Sequence, residues 1–461
     1  MQQDFASFRA SLANMVNGME GSSNHITSFV FWGFVLTDSN IPTYYVAHGT
    51  QVSDLDSIFD VLTFSDAAPN QPFLSAVIQA QQFYGDARAF SNRAFSNILV
   101  FTDSGASDAT VNNNLFSANT PEQLLITQTN TWHNKLTFIL TQNPKKPMST
   151  SANSFDVYRR LAVATHGDLL VIDKSDVSNV MENVLNTYHK MENLVVRYGF
   201  NCNDIKIDLT GDNDSTKKLR VLLTVDKNDR NPARFDEPYV TDMYRNQLKI
   251  ASYGQYYAFY EIPAANAAGS IRVISPTAGL TCSLRVFLNT NNAVLLSYMN
   301  NRQIDIGSPI MYQGIPQVAS GLPLGYSGFD LTQIQRLDPR SGNPLASAVR
   351  GFKRAGVATY AYEFDDLPNC TAGPFVQQVQ LTSGDDFITR VLPGYCALPG
   401  PHLMQSQTLK SSAASVKGSS GSGLLSMRFC TGTPTPVAPV IRGTHDFLAR
   451  AILDPLDPFR Y

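Results

Sequence analysis

Asn97-Ile-Leu-Val-Phe-Thr102 is an apolar run that ends in Asp103-Ser104-Gly105. A run with no polar interruption, followed at once by an acidic loop, predicts a strand buried on both faces in a parallel sheet. The pattern recurs downstream. Leu136–Thr141 follows a helical stretch at about Glu122–His133, Phe155–Thr165 is helical and stopped by His166-Gly167, Asp168–Ile172 is a further apolar run, and Val177–Val195 reads as a helix. Upstream, Ser28–Leu36 and Tyr44–Ala47 read as strands and Ser53–Phe64 and Phe73–Tyr84 as helices. Phe5, Phe8, Leu12, Met15 and Met19 recur at spacings of three and four, the stripe of an amphipathic helix that begins at or before Met1. Alternation of this kind predicts an α/β doubly wound parallel sheet with helices on both faces.

After Tyr198 the period shortens to two. Ile205–Thr210, Leu219–Val225, Ser270–Ser275 and Cys282–Leu288 alternate between apolar and polar residues, with Gly, Asn and Pro clusters between them. That pattern predicts antiparallel strands in a sandwich. A second β region spans about Pro309–Cys396, and Ser411–Gly423 has the composition of a flexible linker. The expected division is an α/β domain over 1–197, a β-sandwich over 198–308, a second, immunoglobulin-like sandwich over 309–400, and a linker with an irregular tail over 401–461.

Composition narrows the function classes. With 35 Lys and Arg against 38 Asp and Glu the formal charge is −3, too even for the basic footprint of a nucleic-acid or anionic-membrane binder. Charged residues make up only 16%, and 29 Gly with 25 Pro fit turn-rich β-structure. The longest apolar stretch, Phe29–Leu36, is far short of the roughly 20 residues of a membrane helix, so no membrane span is expected. Met1-Gln-Gln-Asp-Phe-Ala lacks the basic and apolar regions of a secretory signal.

The five cysteines contain no C-x-x-C pair and lie far from the histidines, which argues for sparse disulfides over structural zinc. Cys370 with Cys396 is the preferred pair because both fall in one β module, and Cys202 with Cys282 is the next. Spacing alone leaves both open. Asn213-Asp-Ser215 and Asn369-Cys-Thr371 are acceptor sequons that carry sugar only in a secretory compartment. No nucleophile elbow, phosphate-binding loop or H-E-x-x-H helix is present. The remaining candidate is Asp103 with Ser104, placed where open α/β sheets bind ligands and able to contribute oxygens to a hard cation. A loop Asp that caps a turn is the equal alternative.

Val100-Phe-Thr-Asp-Ser-Gly-Ala-Ser-Asp108, Leu136-Thr-Phe-Ile-Leu-Thr141 and Val157-Tyr-Arg-Arg-Leu-Ala-Val-Ala-Thr-His-Gly-Asp-Leu-Leu-Val-Ile-Asp-Lys174 resemble a von Willebrand factor A domain of the hemicentin-like extracellular type. The β region resembles nematode proteins of this group more loosely, through Phe259-Tyr-Glu-Ile-Pro263 and Phe387-Ile-Thr-Arg-Val-Leu-Pro-Gly-Tyr-Cys396. The resemblance implies a Mg2+ site in which Asp103 is the one secure ligand and Ser65 or Asp66 fills a middle position. The Asp-x-Ser-x-Ser loop that completes such sites is absent, so the chain enters the fold inside its first helix. The first strand and any signal peptide would lie upstream. Mg2+ is therefore expected only in a full-length protein, and no cofactor in this chain.

The function expected from these readings is a secreted, non-catalytic adhesion or matrix-type protein that binds an extracellular protein or matrix component. The alternatives are an intracellular scaffold with a degenerate A domain and an enzyme acting on extracellular carbohydrate. The second would need paired carboxylates, for which only scattered acids such as Asp365 and Asp366 offer themselves.

Overall fold

The computed structural model describes residues 8–12, 29–36, 42–49, 52–55, 60, 70–82, 96–109, 120–142, 153–188, 191–209, 219–226, 238–262, 269–290, 292–299, 310–353 and 361–398. Strands dominate, and most are antiparallel. The expected doubly wound parallel sheet does not form. Asn97–Thr102, Lys135–Thr141 and Leu169–Ile172 do pair in parallel, but they make a sheet of only three strands. Two local readings account for the difference. Phe29–Leu36, taken as a buried strand of that sheet, pairs antiparallel with Pro42–Gly49 in a sheet of its own. The helix expected over Val177–Val195 ends at Tyr188, and Met191–Asn201 is a strand, as suits its Val195-Val196 pair and its aromatic residues.

Helices α1 (Phe73–Gln82), α2 (Pro121–Thr131), α3 (Asn153–Thr165) and α4 (Val177–Tyr188) accompany the parallel strands. Their starts follow from local chemistry. The Asp108 carboxylate accepts from the backbone N–H groups of Leu74 and Ser75 at 3.1 and 2.8 Å, and Thr120 Oγ1 accepts from Gln123 N at 3.1 Å ahead of Pro121.

The first sandwich packs a five-stranded sheet, ordered Lys249–Tyr253, Tyr257–Ile262, Leu219–Val225, Thr281–Asn289, Met191–Asn201, against the three strands Tyr239–Thr241, Ser270–Ile274 and Ile205–Asp208. The larger sheet is covered on both faces. Val221, Leu223, Tyr260 and Val286 point into the sandwich, whereas Leu222, Tyr257, Phe259 and Phe287 meet Val177, Val180, Met181 and Val184 of α4. One antiparallel sheet thus does for the parallel strands what a second helical layer does in a doubly wound fold.

The second sandwich sets Ala293–Met299, Val318–Leu324, Tyr362–Phe364 and Phe352–Lys353 against a five-stranded sheet built on Asp330–Leu337, Gly373–Ser383 and Asp386–Ala397. Disulfides join Cys202 to Cys282 and Cys370 to Cys396. No described helix is long and apolar enough to cross a membrane.

Met191–Asn201 ties the parts together through buried polar groups. Arg285, on the adjacent strand and 1% exposed at its side chain, donates to Asp168 Oδ2 at 2.8 Å and to Asn193 Oδ1 at 2.9 Å. Glu192 Oε2 accepts from Arg390 Nε at 2.8 Å and from the Tyr326 hydroxyl at 2.5 Å, both on the second sandwich. The Tyr198 hydroxyl donates to Gly167 O at 2.8 Å. Gly167 is obligatory, since a Cβ there would lie 1.6 Å from Leu136 O.

Burial pushes the Asp168 carboxyl above its ordinary value, against the opposing pull of Arg285. Replacing Arg285 by Met strands that carboxylate and is expected to cost about 3–5 kcal/mol in urea denaturation. The double change Arg285→Met with Asp168→Leu should recover most of it, and a single variant as stable as the parent would remove the pair from its structural role. A second expectation concerns pH. His166 is fully buried with a left-handed φ of 52°. Burial, then the positive charges of Arg285 and Lys135, hold its pKa well below 6.5. The unfolded chain takes up a proton below that pH and the folded chain does not, so stability falls as pH drops through 6.5. His166→Asn keeps a residue tolerant of this φ and should lower the slope of stability against pH by up to about 1.4 kcal/mol per unit between about pH 6.5 and 5. An unchanged slope would show that this imidazole protonates in place.

Candidate functional site

The expected metal site does not assemble among the described residues. Asp103 follows its strand half-buried and accepts from Ser104 Oγ at 3.2 Å, while Ser65 and Asp66 lie outside the described residues. No group of three His, Cys, Asp or Glu is placed to hold a metal ion among those described. Of the sequons, Asn213 lies outside the described residues, and Asn369 is exposed beside the disulfide-bonded Cys370.

The structure instead opens a cleft of about 530 Å³ between the two sandwiches. Its walls come from the end of Met191–Asn201, from Ile205–Asp208, and from the turn after Asp330–Leu337, with the Gln335 and Gln378 amides opposite. A β-bulge shapes the first wall. The register against Thr281–Asn289 slips between Cys282 and Leu284, Gly199 takes a left-handed φ of 61°, and its N–H bonds Ser283 Oγ at 3.1 Å. Bulges redirect side chains and release backbone groups from the ladder. Here the Tyr198 N–H reaches Pro339 O at 2.7 Å and fastens the second sandwich's turn to the strand.

That turn is held by one carboxylate. Asp338 Oδ1 accepts from the Arg340 and Ser341 N–H groups at 3.0 and 2.6 Å and from Ser341 Oγ at 2.9 Å. Burial alone would raise the Asp338 pKa, but these hydrogen bonds and the Arg340 charge leave it below the usual carboxylate value. Gly342, at φ 73°, completes the turn and leaves the space in which the Arg197 guanidinium lies, since a Cβ there would come within 1.8 Å of Arg197 Cζ. The Arg340 guanidinium passes over Gly199, where a Cβ would meet it at 3.9 Å.

Arg197 of the first sandwich and Arg340 of the second thus line one cleft. Arg197 is half-buried, donates to Val196 O at 3.1 Å, and has its pKa lowered by burial against the pull of Asp338. Neither Arg197 nor Arg340 forms an ion pair with a described carboxylate. A further cation, Lys206, is held by Asp208 at 2.8 Å, and Asp208 is the one carboxylate among the described residues that line the cleft. Guanidiniums lining a cleft suit a carboxylate, sulfate or phosphate, which each can bind through parallel N–H donors.

Sequence reasoning did not find this site. Its residues run from position 197 to 378, and only the Asp338-Pro-Arg-Ser-Gly-Asn343 turn carries a local signal, an Asp followed by Pro and Gly. If the cleft takes anions, malonate in large excess should raise the thermal midpoint, by the equivalent of about 2.7 kcal/mol when its concentration reaches about 100 times Kd. The rise should vanish in Arg197→Gln/Arg340→Gln, and an equal rise in that variant would place the anion elsewhere. No protein-family model and no curated protein matches the chain, so the A-domain resemblance rests on its own residues alone.

Proposed function

We propose that this chain is a non-catalytic binding protein of an oxidising, extracellular compartment, which takes an anionic group of a protein partner into the cleft between its sandwiches. The observation that carries the reading is that Arg197 and Arg340, one from each sandwich, line the same cleft and neither forms an ion pair with a described carboxylate, Asp338 acting on both only through space while its oxygens hold the turn. Two cations at one cleft are stabilised when an anion arrives. Hydrolysis of sugar would need two carboxylates across a cleft, and among the described lining residues Asp208 is the one carboxylate and is engaged by Lys206.

The cysteines support the choice of compartment. Disulfides persist where the environment is oxidising, and the Cys202–Cys282 bridge, with a sequence separation of 80, constrains the unfolded chain by roughly 4 kcal/mol on the loop-entropy account. A chain kept reduced would forgo that stabilisation, which disfavours the intracellular scaffold.

The test is to express the chain behind a heterologous secretory leader in eukaryotic cells. The medium should contain protein whose non-reducing digest yields peptides linked at Cys202–Cys282 and Cys370–Cys396. It should also carry N-glycan at the exposed Asn369, lost in Asn369→Gln. Free thiols at those four cysteines in protein from its native source would end the extracellular reading.

A further inference from the structure

The strand Ile205–Asp208 is the outer member of its three-stranded sheet, and all four of its residues line the cleft. The ladder fixes which of its backbone groups are used. Leu209 N donates to Gly269 O at 2.8 Å, so 209 and 269 form a hydrogen-bonded antiparallel pair. In such a ladder the bonded pairs alternate, so Ile207 and Ile205 bond to Ile271 and Val273. The N–H and C=O groups of Lys206 and Asp208 therefore point the other way, and no described strand pairs with them.

An unpaired edge is a template for one more strand, and proteins usually blunt such edges with charge or cover them. This one lies inside a cleft, with Lys206 and Asp208 paired to each other and the cations Arg197 and Arg340, which form no ion pair with a described carboxylate, on the neighbouring wall. Resting on the reading of the cleft as an anion site, we infer that it receives an extended acidic segment of a partner protein, which adds a strand to Ile205–Asp208 and places its carboxylates on Arg197 and Arg340. Main-chain hydrogen bonds supply the shared part of the affinity, and the guanidiniums select acidic sequences. Four residues of edge span about 13 Å, enough to pair with a short linear segment. A second copy of this chain is a poor occupant, because pairing of the two edges would bring the Arg197 and Arg340 pairs of both molecules together.

The experiment is calorimetric titration of the full chain with three probes: acetyl-Val-Glu-Val-Asp-Val-Thr-amide, the same peptide with Gln and Asn in place of its acids, and glucuronate. The acidic peptide should bind, and its neutral counterpart should bind about tenfold more weakly or less. Arg197→Gln and Arg340→Gln should each weaken the acidic peptide by about tenfold. Lys206→Pro removes one outward N–H at a position where an edge strand tolerates proline, and should weaken it about fivefold or more. Methylating the peptide's own backbone nitrogens on its pairing side should do the same without altering the protein. If the arginine variants weaken the peptide but proline and methylation do not, or if glucuronate binds as tightly as the peptide, strand addition is overturned and the anion cleft stands. If neither peptide, glucuronate nor malonate binds, the cleft reading itself fails.

Discussion

Arg285 cannot leave the core without taking Asp168 and Asn193 with it. A guanidinium with a 1% exposed side chain has lost its hydration and must recover it from fixed partners. Those partners come from the parallel-strand unit and from Met191–Asn201, so the requirement of one buried charge sets the position of two parts of the molecule. The neighbouring Glu192 repeats the arrangement with Arg390 and Tyr326 of the second sandwich. Apolar packing alone is indifferent to small sliding of one sheet over another. Directional bonds between desolvated ions are not, and they fix the relative placement on which the cleft depends.

The cleft is a product of that placement. Its arginines belong to different sandwiches, and the Tyr198 N–H fastens the two at Pro339 O. The bulge at Gly199 releases that N–H, Asp338 shapes the turn that receives it, and Gly342 makes room for Arg197. The cleft is built from backbone geometry at a seam, with two arginines among its lining residues.

How much of this was legible in the sequence depended on the range of the interaction. The apolar runs Asn97–Thr102 and Leu136–Thr141 read as parallel strands and pair so, because a run buried on both faces announces itself locally. What covers those faces is not local. Leu222, Phe259 and Phe287 pack on α4 from the far side of a sheet whose alternation looked like that of an ordinary sandwich, so helices were expected where a sheet sits. Val177–Val195 looked like one helix, and nothing in its period marked the switch to a strand at Met191. Asp103 stood out because acids after apolar runs often serve ligands, yet the described residues supply it with no metal-binding company. Arg197 and Arg340 had no motif to reveal them, since their meeting is decided by the bulge, the turn and the docking of two sheets.

One apolar cluster contains Leu136 and Tyr158 of the parallel-strand unit, Val221 and Val286 of the first sandwich, and Ile310 and Tyr395 of the second. The Tyr395 hydroxyl also reaches back to Gln123 Oε1 at 3.0 Å. Modules that share a core do not behave as beads on a string. Under tension, a tandem array joined by linkers lengthens module by module at low force, whereas sheets interlocked through common side chains resist until the whole unit yields. A load carried across such a shared core meets one stiff unit in place of an extensible series.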